Sequence, residues 1–299
     1  MTKRLIVIAG STGVGKTDMS IKVANHLNAH ILCGDSRQIY KEMTIGTAVP
    51  TKDDMATVPH HLFQFVSAKD RYNVGRYERD ALLVLDDLFK RYDNALVVGG
   101  SGLYLDALCK GIDPLPEADH AMREEMLLLW HSLGGRETLL KELQERDSEL
   151  WDTIDKDNPI RVCRALEVCR LTGEPFSKIR RGKIIKRPFE IVKIGLRRER
   201  EELYDRINTR VDLMFSEGLL EEAHSLLPLR EYNALQTVGY RELFDYFDGN
   251  ITLETAKELI KRNTRHYAKR QTTWFGGDKE ISWFHPNDYD GVIDYIEKL

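Results

Sequence analysis

Gly10, Ser11, Thr12, Gly13, Val14, Gly15, Lys16 and Thr17 spell G-x-x-x-x-G-K-T, directly after the apolar run Leu5–Ala9. A buried strand, a glycine turn and a helix are the context that gives this string its meaning. Glycines let the backbone curl with its N–H groups pointing inward, where they hold an anion at a helix N-terminus. Lys16 adds a point charge, and Thr17 offers a hydroxyl to Mg²⁺. The string therefore points to a phosphorylated ligand. It does not say which ligand, or what happens to it.

A second run, Asp35–Tyr40 (DSRQIY), follows a short apolar segment. Asp35 would stand at the C-terminal end of a strand, close to the phosphate loop. Two readings of it stay open. Asp35 and Gln38 form a capping-box-like pair. Alternatively, Asp35 is a general base that takes a proton from a nucleophile while the loop holds a leaving group. Arg206 and Arg210 are four apart, on one face of a helix, and are either diphosphate contacts or solvated cations. His60-His61 has no completing Cys or His cluster nearby in sequence, and Cys33, Cys109, Cys163 and Cys169 contain no C-x-x-C pair. The cysteines read as reduced, buried thiols.

These groups need a scaffold. Leu5–Ala9, His30–Gly34 and Ala95–Val98 read as strands, the first and third followed by glycine-rich turns. Lys16–Leu27 carries apolar residues on one side, and a glycine-rich turn at Gly99–Gly102 leads into an apolar helix through Leu108. Strand–turn–helix units imply a parallel sheet flanked by helices, with ligands at the C-terminal strand ends. The run Leu82–Asp87 imitates the Mg²⁺-binding acid of ATPases. However, Tyr77, Ala81, Val84, Leu85, Leu88 and Phe89 recur with helical period, so Arg76–Tyr92 is expected as a helix with Asp86 and Asp87 on or near its polar face. Without an acid on a strand, a motor or switch loses support. Asp113-Pro114-Leu115-Pro116 marks a boundary. A charged helical stretch, Ala118 to about Thr172, follows, broken near Gly134-Gly135 and Asn158-Pro159. Phe189–Leu196 returns to the sheet; helices are expected at Arg200–Glu217, Leu219–Leu227, Tyr240–Phe247 and Leu253–Trp274. The expected architecture is α/β: a P-loop NTPase-like parallel sheet core formed by 1–116 and 187–299, with a mainly helical insertion at 117–186.

The 299 residues suffice for one or two domains, and 42% hydrophobic with 31% charged residues is ordinary for a soluble protein. No apolar stretch approaches the ~20 residues of a membrane span. The N-terminus leads straight into a strand, so no leader and a cytoplasmic location are expected. Net charge is −4, but residues 160–212 hold 15 Lys+Arg against 8 Asp+Glu, and 255–275 hold 6 against 1. Two basic stretches in a mildly acidic chain suggest a polyanionic partner. Lys261, Arg265 and Lys269 form an i,i+4 stripe with Arg262 and His266 beside it and Tyr267 and Trp274 interleaved; taken alone, Trp274 and Phe275 read as core residues ahead of stacking platforms.

Seven blocks carry a more specific likeness: Asp35–Tyr40; Ile45–Ala48 (IGTA); Pro59–Leu62 (PHHL); Gly99–Tyr104 (GGSGLY); Asn158–Arg161 (NPIR) with Arg164–Glu167 (RALE); Gln236–Arg241 (QTVGYR); and Thr264-Arg265 with Tyr267–Trp274 (YAKRQTTW). In order, over nearly the whole chain, they closely resemble the tRNA dimethylallyltransferases. The resemblance implies transfer of a prenyl group from dimethylallyl diphosphate to the exocyclic N6 amine of the adenosine 3′ to the anticodon. It implies that Gly10–Thr17 and Arg206 hold diphosphate, with Mg²⁺ on Thr17. It makes Asp35 the base and gives Lys16, Thr17, Ser101 and Arg210 catalytic places. It assigns contacts with the tRNA anticodon stem-loop to Asp35, Ser36, Arg37, Gln38, Ser101 and Arg123, to Ile160, Arg161, Val162, Cys163 and Arg164, and to Gln236, Thr237, Val238, Gly239, Tyr240 and Arg241. Ser101 stands where the family commonly has threonine, and Val49 where it usually has lysine before proline. A small-molecule or nucleoside kinase is the alternative, and a nucleotide-dependent RNA-binding switch a third reading. Nothing demands a second copy or a membrane, so a monomer is expected.

Overall fold

The computed structural model describes residues 2–182 and 184–299. Among the described residues six strands run in chain order: β1 (Arg4–Gly10), β2 (His30–Cys33), β3 (His60–His61), β4 (Asn94–Gly99), β5 (Glu190–Leu196) and β6 (Ser282–Phe284). They form one sheet of order β3-β2-β4-β1-β5-β6, parallel throughout. The central strands are apolar runs because both faces are covered; Leu5, Ile6, Ile8, Leu96 and Val97 are wholly buried.

The helices are α1 (Lys16–His26), α2 (Lys52–Thr57), α3 (Val74–Leu88), α4 (Gly102–Lys110), α5 (His120–Trp130), α6 (Gly135–Arg146), α7 (Ser148–Trp151), α8 (Pro159–Thr172), α9 (Phe176–Ile179), α10 (Arg200–Ser216), α11 (Leu219–Ser225), α12 (Tyr240–Phe247), α13 (Leu253–Gly276) and α14 (Tyr289–Glu297). Helix α3 confirms the reading of Leu82–Asp87: Tyr77, Ala81, Leu85 and Leu88 are buried, and Asp87 sits outside, paired with Lys90 and Arg91. Pattern reading overlooked α2, β3, β6 and α14. The first three are too short to show a period, and β3 and β6 are edge strands that need only a few ladder bonds.

The chain divides into two compact units: residues 1–109 with 186–299, and residues 110–185. The extended segment before α5 goes with the helices, since Asp119 caps that helix through Met122 N–H and a Cβ at Gly111 would strike Ile185. The helical unit packs Met126, Leu139, Leu143, Val162, Leu166 and Phe176 into its own core. Asn158 caps α8 and Pro159 opens it, so the break seen in sequence is a helix start. The segment 177–187 includes Lys183, which lies outside the described residues.

Two close approaches shape the sheet's C-terminal edge. A Cβ on Gly99 would lie 2.0 Å from the Gly34 carbonyl oxygen, so only glycine lets the ends of β2 and β4 touch there. Gly13 and Gly15 take φ of 77° and 108°, which brings the loop after β1 round onto the start of α1.

Candidate active site

A cavity of about 850 Å³ opens along that edge. Its floor is the loop between β1 and α1: Thr12, Gly13, Gly15, Lys16 and Thr17 line it. Gly10, Ser11 and Val14 sit behind and hold the loop's shape; Ser11 and Val14 are buried, and a Cβ on Gly10 would strike the Leu196 carbonyl. Helix α1 starts at Gly15 with no side-chain cap. Its N-terminal amides are thus presented to the cavity rather than consumed by a serine or aspartate. Arg198 Nε bonds the Val14 carbonyl at 2.9 Å and braces the loop from outside.

Lys16 Nζ folds back onto the carbonyls of Gly10 (3.1 Å) and Ser11 (2.8 Å). Burial lowers its pKa to about 8; the Asp35 charge opposes that fall and Arg210 deepens it. Arg210 is also lowered by burial, held up by Asp35 and pushed further by Arg206. One carboxylate and three cations thus share a single field. Arg206 lies more exposed, with Nε on the Gly13 carbonyl at 3.0 Å, and both arginines line the cavity.

Asp35 follows β2, where no helix begins, so it caps a turn instead. Its Oδ1 accepts from Arg37 N–H (2.8 Å) and Gln38 N–H (3.4 Å). Gln38 does not reach back to complete a capping box; its Nε2 donates to the Thr47 and Ala48 carbonyls. Ser101 Oγ accepts from Ser36 N–H at 2.8 Å and donates to Ser36 Oγ at 3.1 Å. Arg37 spends its guanidinium on the carbonyls of Asn233 and Ala234, tying the acid loop to the segment before Gln236. Gln236, Thr237, Val238, Gly239 and Arg241 line the cavity. Tyr240 does not: its ring is wholly buried and its hydroxyl donates to Glu222 at 2.6 Å. Direct RNA contact by that side chain is corrected accordingly.

The largest contribution unseen in the sequence comes from α13. Thr264, Tyr267, Arg270 and Gln271 share one helix face and line the cavity. Gln271 is buried; its Oε1 accepts from Thr12 N–H (2.8 Å) and its Nε2 donates to the Gly100 carbonyl (2.8 Å), joining the phosphate loop to the turn that carries Ser101. Burial first, and the Asp35 charge second, push the Tyr267 hydroxyl up to about 12, while a bond with Ser101 pulls the other way. The i,i+3,i+7 spacing of 264, 267 and 271 was the available signal. The basic stripe of that helix is partly spent on packing: Lys261 pairs with Asp212 at 2.7 Å and Arg265 bonds Asn208 at 2.6 Å. Phe275 is buried as expected, but Trp274 is 51% exposed, with its N–H on Asp106.

The helical unit, taken by itself, holds a different constellation. Glu167 has no exposed side-chain surface. It accepts from Asp119 N–H (2.6 Å) and Arg123 Nε (2.9 Å), and Arg164 lies 3.1 Å away. Arg164 also donates to the Pro116 carbonyl. Val162 and Cys163 point into that unit's core, so the expectation of RNA contact through them is corrected. Ile160 and Arg161 are exposed at the start of α8. Among the described residues no group of three or more His, Cys, Asp or Glu side chains is placed to hold a metal, and no helix is long and apolar enough to cross a membrane.

Comparison with known proteins gives the family. The model of the family described as IPP transferase matches residues 38–278, and that of isopentenyl transferase matches residues 3–63. The chain belongs to the tRNA dimethylallyltransferase family. It is 49% identical over 298 residues to a tRNA dimethylallyltransferase of Christiangramia forsetii, covering 99% of this chain and 98% of that one. It is 46% identical to tRNA dimethylallyltransferase 1 of Phocaeicola vulgatus, covering 100% and 99%. The solved tRNA isopentenylpyrophosphate transferase of Bacillus halodurans superposes with a TM-score of 0.73 at 36% identity, covering 99% of this chain and 96% of the other. A eukaryotic dimethylallyltransferase, solved acting on tRNA, gives 0.79 at 26% identity, covering 97% and 75%. The chain is thus a transferase of the tRNA dimethylallyltransferase family, and the kinase alternative is not favoured.

Proposed function

We propose that the chain transfers a dimethylallyl group from dimethylallyl diphosphate to the N6 amine of the adenosine 3′-adjacent to the anticodon in tRNA, releasing diphosphate. The observation that carries the proposal is the shared field of Lys16, Asp35 and Arg210 within one cavity. A loop built to cradle nucleotide phosphates equally cradles a diphosphate leaving group. As the C1–O bond of the donor breaks, its electron pair leaves on the diphosphate. Lys16, Arg210, Arg206 and the amides of Gly13, Gly15, Lys16 and Thr17, all on residues of the cavity wall, would stabilise that growing charge. The N6 lone pair forms the new C–N bond, and the N6 proton passes to the Asp35 carboxylate. An aromatic amine is a poor nucleophile because its lone pair is delocalised, so a base in reach matters.

The donor set suits Mg²⁺: Thr17 is a hard oxygen ligand on the cavity wall, and phosphate oxygens and water complete the shell of such an ion. When bound there it would add positive charge beside the leaving group. The target amine is hidden in a stacked anticodon loop, so the base is expected to flip out at a cost of a few kcal/mol. Exposed Ile160 and Arg161, together with Asp35, Ser36, Arg37, Gln38, Gln236, Thr237, Val238, Gly239 and Arg241 on the cavity wall, are proposed RNA contacts that remain accessible. Action as a cytoplasmic monomer belongs to the same proposal.

The test is incubation with labelled dimethylallyl diphosphate and unmodified tRNA, followed by nucleoside analysis. Label on N6 of adenosine supports the proposal. ATP turnover stimulated by a small alcohol, with no label on RNA, overturns it.

A further inference from the structure

Gln271 enters the site from α13 with both ends of its carboxamide engaged. Oε1 accepts from Thr12 N–H at 2.8 Å, and Nε2 donates to the Gly100 carbonyl at 2.8 Å. The partners fix the orientation: turned over, the amide would set NH₂ against an N–H and oxygen against oxygen. Room for it exists because residue 100 is glycine, since a Cβ there would lie 2.2 Å from Nε2. The side chain is buried, and its helix is pinned on either side by buried Ala268 and Phe275.

Each bond leads to a different half of the site. Thr12 belongs to the loop after β1, where Lys16 Nζ holds the Gly10 and Ser11 carbonyls. Gly100 precedes Ser101, whose N–H donates to the Gly34 carbonyl at 3.3 Å and whose Oγ bonds the Ser36 N–H and hydroxyl. Gly34 and Ser36 flank Asp35. The two loops leave neighbouring strands, β1 and β4, whose ladder ends at the pair Ala9 and Gly99. Beyond that pair, the Gln271 amide bridges them.

We propose that Gln271 is a positioning residue: through these two bonds it sets the separation between the loop that grips the diphosphate and the turn that presents Asp35. The proposal rests on the function given above, in which a bond breaks on one side of the cavity while a proton leaves on the other. Reacting atoms must meet at about 3–3.5 Å with orbitals aligned, and an error of about 1 Å costs on the order of 10²-fold in rate. Gln271 governs that alignment. Neither of its bonds goes to Lys16, Arg206 or Arg210, so the grip on diphosphate is set by other groups.

Two variants test it. Gln271→Met keeps the length and loses both bonds. Its single-turnover transfer rate, with RNA and donor saturating, should fall about 10- to 100-fold, while its Kd for inorganic pyrophosphate stays within about threefold of native. Gln271→Glu keeps an acceptor for Thr12 N–H but, as a carboxylate, offers the Gly100 carbonyl no hydrogen. Once protonated, it regains a donor and copies both amide bonds. The ratio of its transfer rate to the native rate should therefore climb as pH falls. Lys16, Asp35, Arg206, Arg210, Tyr267 and Arg270 face this cavity in both chains, so their effects divide out of the ratio. A mere packing defect would slow Gln271→Glu equally at every pH. A ratio that does not change with pH, a native rate in Gln271→Met, or a pyrophosphate Kd that weakens as much as the rate overturns the proposal. Failure of the native chain itself to transfer label overturns instead the function on which the proposal rests.

Discussion

Two charge clusters, one in each compact unit, treat buried charge in opposite ways. In the helical unit the Glu167 carboxylate is closed off by Arg123, Arg164 and the Asp119 amide. Its charges are spent on each other and fasten α5 to α8. In the sheet unit Lys16, Arg206 and Arg210 face a cavity, and Lys16 and Arg206 bond backbone carbonyls. Their charges are lightly committed, and burial lowers the proton affinity of Lys16 and Arg210. Charges arranged for stability are satisfied by partners in the chain; charges arranged for a ligand are held short of satisfaction.

Five variants break or sharpen that contrast. The largest effect is expected at Asp35. Asp35→Asn keeps an acceptor for the Arg37 and Gln38 amides but removes the base, so kcat should drop about 10³-fold while pyrophosphate still protects against thermal unfolding. Near-native turnover would remove Asp35 from the proton transfer. Next comes Glu167→Ala, which leaves two arginines uncompensated. Denaturant unfolding should report a loss of about 3 kcal/mol, with pyrophosphate affinity of the folded protein unchanged.

Lys16→Met should do the reverse: a donor KM raised roughly 10- to 100-fold with little loss of stability. The pH sign separates the two roles. Folding lowers the Lys16 pKa from 10.5 to about 8, so above about 8 the folded chain releases a proton that the unfolded chain retains. Stability from this group therefore rises between those values, while pyrophosphate binding falls as pH climbs through about 8. Titration by calorimetry should show that fall in the native chain and not in Lys16→Met.

The smallest effect separates two neighbours on α8. Arg161→Ala, at an exposed position, should lower the slope of log K for tRNA against log salt by roughly 1 without destabilising the fold. Arg164→Ala should instead lower the melting temperature, because Arg164 pairs with Glu167 and the Pro116 carbonyl. Equal salt slopes for Arg161→Ala and the native chain would place Arg161 away from the RNA.

Much of the site was legible in the chain. Eight consecutive residues build the loop proposed to cradle an anion, and glycine is the residue type that takes the backbone angles seen at Gly13 and Gly15. Asp35 was readable as a strand-end acid because β2 is apolar up to Cys33. The roles of the arginines were not legible. Arg123, Arg161 and Arg164 look alike on charged helices, yet one is exposed and two are bound to a buried carboxylate. Trp274 misled for the same reason, since its helix position says which face it occupies but not whether a neighbour covers it.

What the sequence by itself determined are features written in contiguous residues or in helical period: the turn after β1, the apolar strands, the shared face of 264, 267 and 271. Those depend on local backbone geometry and on spacing, which travel with the chain. Only the tertiary structure decided that Gln271 reaches an amide 259 residues away, that Glu222 accepts from the Ile45 amide, and that Gln38 donates to the Thr47 and Ala48 carbonyls. Hydrogen bonding and charge pairing depend on which distant group arrives, and folding alone brings those groups together.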